Sequence, residues 1–416
     1  MRRQTDPETR AASAAAQADS GAKEAVAVAE AGPFVLKWAR RIADLEAQSG
    51  RLWPDLCAPP PGRQARYFAF QCRDHLERWL STIGAACGVR PIFVAVFACG
   101  GEPLLLLPLG VSSRRGVLFL EFLDGGVADY NAPVLFEGAA STTERDVRLI
   151  WEAVRRIAAP FDVERIDKLA ESVCDWPNPL RALGRERWPS SGHLIRLATG
   201  EGAPPLQKKH DLKEGQRKRQ RLSEIGTLRF RIATDPDEIR RVFAVFARQK
   251  SRRYRETLGV PGFDVPGQLS YYSNLALQLS GRGAQLAYLE VGGEVIATAW
   301  SLIADRRLYY LMCAYEGGAW RRFSPGSLLL EDLVGWAARN GLEAFDLGIG
   351  DEAYKLKWRQ EALALSQSLV ARTLKGRAYC AAFRARALLR EALPARARHW
   401  LRAAVRVRGG GASILS

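Results

Sequence analysis

The chain has 416 residues, 47% hydrophobic and 25% charged, a length that exceeds one ordinary core and makes two domains the expectation. No apolar run reaches the roughly 18–20 residues of a membrane span. The seven cysteines, odd in number and without a CxxC pair, argue for reduced thiols and against a zinc site. The formal charge of +16 favours an anionic partner such as a nucleotide-bearing cofactor, a nucleic acid or an acidic membrane face, although an Arg- and Ala-rich composition is the plainer source of the excess.

Met1-Arg2-Arg3 is not followed by an apolar h-region, so no secretory or twin-arginine signal is expected and the cytoplasm is the expected compartment. Residues 1–31 are Ala-rich with few large apolar side chains and read as a disordered or weakly helical tail. Residues 34–56 read as a strand and then a helix, and Pro59-Pro60-Pro61-Gly62 breaks the chain. Helical periodicity runs over 66–87 through Phe70, Leu76, Trp79, Leu80 and Ile83, with Gly88 as its stop. A meander of three apolar strands follows, at 92–98, 104–109 and 117–123.

The second half repeats this meander. Gly100-Gly101-Glu102 recurs 192 residues later as Gly292-Gly293-Glu294. At the same offset Arg114-Arg115 meets Arg306-Arg307, Gly125-Gly126 meets Gly317-Gly318, and Pro133 meets Pro325, with no gap. After Pro133 the first copy predicts a helix over 144–158 and a strand over 163–169. Val134 stands where the second copy has Gly326, and Glu171-Ser172-Val173-Cys174 where it has Gly350 to Lys355. The first copy therefore reads as a relative that lost or altered a site. The junction falls in the Pro/Gly-punctuated stretch 176–205, giving domains over 32–195 and 205–372.

Residues 207–221 carry seven Lys and Arg, among them Arg217 and Arg221, and read as a basic helix. Asp235-Pro236-Asp237-Glu238 is a capped helix start. Residues 285–359 then read strand, Gly-Gly turn, strand, turn, strand, loop, helix, strand and acidic turn. The segment 374–408 has ten Lys and Arg against Glu391 alone, with aromatic and Leu residues interleaved. Such a basic amphipathic helix either lies on an anionic bilayer or packs on its own domain with a solvated face.

Two places in the second meander unit concentrate chemistry. Ser324-Pro325-Gly326-Ser327 opens a helix, where unpaired N–H groups and the helix dipole attract phosphate. Ser324 is a candidate cap, Pro325 suits the first turn, and Gly326 lets a ligand approach the backbone; an ordinary Ser-Pro cap is the alternative. Gly350-Asp351-Glu352-Ala353-Tyr354-Lys355 places two carboxylates, a phenol and an ammonium behind a strand end. Asp351 or Glu352 is a candidate proton acceptor, Tyr354 a proton donor to a leaving thiolate, and Lys355 an anion ligand. Glu316, at the end of the third strand, is a further candidate base. A capped helix start is the alternative for this word.

The succession of meander, Ser324-Pro325-Gly326 helix, Phe345-Asp346 strand and Gly350-Asp351-Glu352-Ala353-Tyr354-Lys355 resembles the GNAT N-acetyltransferase superfamily. In particular it looks like the CelD-like acetyltransferases associated with cellulose biosynthesis. The resemblance covers residues 205–372, with the basic stretch Lys213–Leu222 included. The family's Q/R-x-x-G-x-G/A phosphate loop is replaced here by Phe323-Ser324-Pro325-Gly326-Ser327. The tandem arrangement further resembles the Fem-type aminoacyltransferases, which use aminoacyl-tRNA.

These resemblances imply a mixed α/β fold of two tandem GNAT-like domains, each a splayed mixed sheet flanked by helices, in a bacterial setting. They imply acetyl-CoA as donor, held at Ser324, Pro325, Gly326 and Ser327. Asp351, Tyr354 and Glu316 are the catalytic candidates, with Lys355, Glu352, Arg217 and Arg221 on the substrate. The expected activity is acyl transfer to a sugar, sugar nucleotide or envelope precursor. An aminoacyl-tRNA-dependent transferase and a non-catalytic scaffold of a polysaccharide synthase, docked on the inner membrane face through 374–408, are the alternatives. No metal is expected.

Overall fold

The computed structural model describes residues 26–197, 206–259, 262–358 and 360–392. The expectations for residues 1–25 and 393–408 lie outside the described residues. The first half forms β1 (Ala27–Ala31), β2 (Phe34–Ala39), α1 (Ile42–Ser49), β3 (Ala65–Arg66), α2 (Arg73–Trp79), β4 (Arg90–Ala98), β5 (Pro103–Arg114), β6 (Val117–Phe122), β7 (Val134–Phe136), α3 (Glu144–Ala158) and β8 (Val163–Ala170). Short strands β9 (Ser172–Val173), β10 (Trp176–Pro177) and β11 (Glu186–Arg187) lead to β12 (Gly192–Arg196). The second half forms α4 (Lys209–Ser223), β13 (Leu228–Ile232), α5 (Pro236–Leu258), α6 (Gln268–Leu279), β14 (Ala284–Val291), β15 (Glu294–Ala304), β16 (Arg307–Tyr315), α7 (Pro325–Arg339), β17 (Ala344–Ile349), β18 (Glu361–Leu363), β19 (Leu365–Ala371) and α8 (Leu374–Ala392).

Local chemistry accounts for the main boundaries. Thr143 and Asp146 close a reciprocal cap at the start of α3, satisfying backbone donors that the first turn leaves open. The Asp235 carboxylate accepts from the amides of Asp237 and Glu238, and Pro236 takes the first position of α5. Gly292 and Gly293 both adopt positive φ, which the tight β14–β15 turn requires. Val28, Ala29 and their neighbours, expected in the tail, instead form β1, an edge strand antiparallel to β2; their alternating small and branched side chains suit a half-covered edge.

Two mixed sheets organise the chain. In one, the order is β1-β2-β4-β5-β6-β8-β19-β11, with β3 and β7 on a side branch. In the other it is β13-β14-β15-β16-β17-β12-β18. Each contains an antiparallel meander, a helical crossover and a parallel strand: β4-β5-β6-α3-β8 in the first half and β14-β15-β16-α7-β17 in the second. The halves then exchange strands. β12 leaves the first half to pair antiparallel with β17, and β19 leaves the second half to pair antiparallel with β8. Residues 192–195 and 365–371 thus fall on the other side of the boundaries read from sequence.

The internal repeat holds in topology but not as a gapless register. The β5–β6 turn is at Arg115-Gly116 and the β15–β16 turn at Asp305-Arg306, an offset two residues short of that between the Gly-Gly turns. Pro133 opens no helix: it leads into β7, whose buried Val134, Leu135 and Phe136 add a strand to β5, and α3 starts at Glu144. One hydrophobic core runs through both halves, joining α2 and the first sheet to α5, α6, Trp300 and Tyr309. A second core lies under α7. α8 packs on the first half through Tyr379 and Cys380, against Phe119 and Val163, and leaves Phe383 and Leu388 exposed. No helix among the described residues is long and apolar enough to cross a membrane, and all seven cysteines are free.

Candidate functional site

The site begins where two parallel strands part. β16 and β17 pair at three positions only, Arg307 with Ala344, Leu308 with Phe345 and Tyr309 with Asp346. Beyond Tyr309, β16 continues to Tyr315 bonded to β15 alone. Its main-chain groups on the β17 side face an opening. A bulge at Leu311, between the Ser301–Tyr310 and Trp300–Met312 pairs, adds twist there. Such an edge accepts an extended ligand that carries amides of its own.

The first turn of α7 lies against this edge. Ser324 precedes it at φ 51 and ψ 54, a left-handed conformation that costs a non-Gly residue about 1 kcal/mol. Its hydroxyl does not cap the helix, contrary to expectation, and accepts instead from the Lys218 ammonium at 3.1 Å. The Ser324 carbonyl closes the turn by accepting from Ser327 and Leu328. A Cβ on Gly326 would lie 2.9 Å from the Tyr315 ring and 3.3 Å from the Cys313 sulfur. The missing side chain thus lets the helix start press against β16. Arg221 and Arg322 stack on Phe323 beside the turn, and Arg217 is exposed on α4 with no ion-pair partner among the described residues. Arg219 is spent on Glu331, Asp332 and the Leu328 carbonyl. A helix N-terminus flanked by Lys218, Arg221 and Arg322 is a phosphate-binding arrangement.

The word Gly350–Lys355 is brought to the same opening, but with duties different from those expected. Lys355 is buried, and its ammonium donates to the carbonyls of Gly348 at 3.1 Å and Ile349 at 3.0 Å and pairs with Glu352 at 3.0 Å. It staples the turn to the end of β17. Asp351 accepts from the His193 ring at 2.9 Å and the Ser191 amide at 3.4 Å, and the His193 bond holds its pKa below the usual carboxylate range. Glu316 is gripped by Arg248, Gln249 and Arg252, which outweigh its burial and pull its pKa down. Neither carboxylate is a strong base. Tyr354 is partly exposed, and burial raises its pKa, with Glu352, Cys313 and Asp129 adding to the rise. It therefore stays protonated at neutral pH.

A carboxylate with a raised pKa comes from the other half. Asp129 lies beside Gly348, whose added Cβ would fall 2.5 Å from its Oδ2 and 3.7 Å from the Tyr310 carbonyl. Burial pushes its pKa up to about 7, opposed first by Lys168, with Asp346 adding to the rise. The loop that carries it is held by hydrogen bonds at both ends. Asp124 accepts from the amides of Gly126 and Ala128 and pairs with Lys168, and Asn131 bonds the backbone of Asp167, Lys168 and Ala170. Next to it the Tyr130 hydroxyl donates 2.8 Å to Asp346. Asp346 also accepts from the Gly348 amide at 2.8 Å and faces Arg307 at 3.6 Å. Asp346 is thus a buried brace between the halves. In the sequence, Gly125-Gly126 served only as a repeat marker; the Asp129-Tyr130 pair three residues on was the signal available for this part of the site.

Residues 211–356 match the family model described as "Acetyltransferase (GNAT) domain". That segment, which contains α7, the parted strands and the acidic turn, is an acyltransferase domain. Among solved structures the chain is similar to one described as FemX, with 12% identity and a TM-score of 0.48, covering 74% of this chain and 97% of that one. It is similar to a tandem GNAT protein from the clavulanic acid biosynthesis pathway, at 14% identity and TM-score 0.43, covering 81% and 98%. A third is the C-terminal domain of a putative lysylphosphatidylglycerol synthetase from Agrobacterium fabrum, at 14% identity and TM-score 0.43, covering 70% and 91%. No curated protein matches the chain.

Proposed function

We propose that the protein transfers an acyl group, acetyl in the first instance, from a CoA thioester to an amine or hydroxyl of a sugar, sugar nucleotide or envelope precursor. The observation that carries this reading is the parting of β16 and β17 in front of the first turn of α7. Phosphates of the donor would meet that turn, Lys218, Arg221 and Arg322. The amide-bearing arm would add to the free edge of β16, placing the thioester near Tyr354 and Asp129.

In this mechanism the acceptor nitrogen or oxygen attacks the thioester carbon. The new C–N or C–O bond forms and the C–S bond breaks. Asp129 takes the acceptor's proton, a task suited to a base with a pKa near the working pH. Tyr354 gives its proton to the leaving thiolate, and the proton taken by Asp129 returns through solvent to Tyr354. Asp351, through His193, and Lys355, through the end of β17, hold the turn that presents Tyr354; Glu316 anchors α5 to β16. The class of acceptor rests on the resemblance of the Gly350–Lys355 word to CelD-like acetyltransferases.

Incubation with acetyl-CoA and a panel of amino sugars, sugar nucleotides and amine-bearing envelope precursors, read by mass, tests the proposal. An acetylated product with matching thiol release is expected. Absence of acetyl-CoA-dependent product across the panel would count against it. One observation favours a second donor: the basic face of α4 runs on past Lys218 to Arg217 and Lys213, which suits the longer phosphate chain of an aminoacyl-tRNA. Its binding would weaken steeply with salt.

A further inference from the structure

A polar cavity lies in the first half, away from the parted strands. Its volume is about 340 Å³, at the small end of ligand-binding pockets. It sits between α3, β8, β19 and the segment 182–185, so strand β19 of the second half forms one wall. Arg148, Trp151 and Arg155 line it from one face of α3, and Arg185 and Ser368 face them.

Two buried donors in its wall have nothing to donate to. Trp151 is 1% exposed and Ser368 is 3% exposed. Among the described residues, neither the Trp151 indole Nε1–H nor the Ser368 hydroxyl has a hydrogen-bond partner. A buried donor left unsatisfied costs about 1–3 kcal/mol, and both residues line the cavity, so an acceptor that enters it and reaches these shielded atoms would remove that cost. The indole can only donate, which excludes a cationic or purely donor ligand.

The charges agree in sign. Glu164 is the one carboxylate in the lining, and Arg155 already holds it through Nε at 2.7 Å and Nη2 at 3.3 Å. The third Arg155 nitrogen meets Glu152 at 3.0 Å. Arg148 has only an exposed contact to Glu144 at 3.5 Å, worth little in water. Among the described residues Arg185 has no ion pair, and its backbone is tied to β19 through the Gln367 carbonyl. Two guanidiniums are thus left to meet an anion, and guanidiniums match phosphoryl oxygens in pairs. Leu183 and Val370 give the cavity an apolar side.

We propose that this cavity binds a small phosphomonoester. Its phosphoryl oxygens accept from Trp151 Nε1, Ser368 Oγ, Arg148 and Arg185, and a body about the size of a monosaccharide rests against Leu183 and Val370. Because α3 belongs to the first half and β19 to the second, the bound ligand clamps the exchanged strand in place.

Titration calorimetry of the full chain with inorganic phosphate, glucose 1-phosphate, AMP and, as a carboxylate, citrate tests this, with thermal melts alongside. A phosphomonoester is expected to bind below millimolar concentration and to raise Tm. Trp151→Phe, Ser368→Ala and Arg185→Gln, each of which keeps side-chain bulk or lies at the surface, should weaken it tenfold or more. Lys218→Glu, at the α7 turn, should leave it unchanged. Glucose 1-phosphate binding more tightly than AMP supports the monosaccharide size, and the reverse overturns it. Inorganic phosphate binding as tightly as either ester overturns the role of Leu183 and Val370. Citrate binding in preference to both esters overturns the phosphoryl assignment. No phosphomonoester binding at 10 mM (about ten-thousandfold weaker than micromolar), or equal binding by wild type and Ser368→Ala, overturns the site.

Discussion

Replacing Asp129 with Asn removes a proton acceptor while keeping its size. In the fold this carboxyl is half-buried beside Gly348, and its pKa rises from 3.8 to about 7. That shift corresponds to about 4 kcal/mol against ionisation, and it places the group half ionised at neutral pH. At pH 6 only about one tenth would be ionised, and at pH 8 about nine tenths. The wild-type kcat/KM, followed by thiol release from acetyl-CoA with the best acceptor of the panel, should therefore rise with pH to a plateau with its midpoint near 7. Loss of a general base costs about 100- to 10,000-fold, so Asp129→Asn should lose that much at pH 8 and lose the rise. A variant within twofold of wild type, or one that keeps the same midpoint, would refute the assignment.

His75 offers a stability test with a defined sign. Burial lowers its pKa from 6.5 to about 3, and its Nδ1 meets the Tyr271 hydroxyl at 2.8 Å across the two halves. Between those pH values the unfolded chain binds a proton that the folded one does not. The contribution is thus complete above pH 6.5 and is lost as pH falls, by up to about 1.4 kcal/mol per unit. The raised Asp129 pKa acts in the opposite sense between 3.8 and about 7. Urea melts of His75→Gln against wild type at pH 7, 6 and 5 isolate the histidine: the variant should lose less stability on acidification, and parallel losses would contradict the linkage. Lys355→Met strands two carbonyls and Glu352, so it should cost about 2–4 kcal/mol in the same melts. Its acetyl-CoA Kd should stay within twofold; a tenfold weaker Kd would restore the anion-binding role.

What the sequence made legible were features with short-range causes. The Gly292-Gly293 turn, the Asp235 cap and the helix opened by Pro325 each follow from backbone chemistry within a few residues, and each is in place. The repeated meander was visible because turn residues mark it. The strand exchange was not, since β12 and β19 have ordinary apolar patterns that suit either sheet. Roles in the candidate site were harder still. Lys355 and Asp351 stand in a word rich in reactive groups, yet their partners, the end of β17 and His193, are fixed only by tertiary contact. Asp129 lies more than two hundred residues from Tyr354 in sequence, and its raised pKa arises from burial that only the joined halves create. The Phe345-Asp346 pair was read as part of a signature; Asp346 is the brace that Tyr130 and Arg307 meet.

The central claim is that a phosphate-bearing thioester donor binds at the first turn of α7. Titration calorimetry with acetyl-CoA on wild type and on the double variant Lys218→Glu, Arg221→Glu tests it most directly. Both substitutions lie on α4, outside the β16–β17 ladder. The account predicts saturable binding by wild type and a loss of at least tenfold in the variant. No binding at millimolar acetyl-CoA, or equal binding by both proteins, would contradict it.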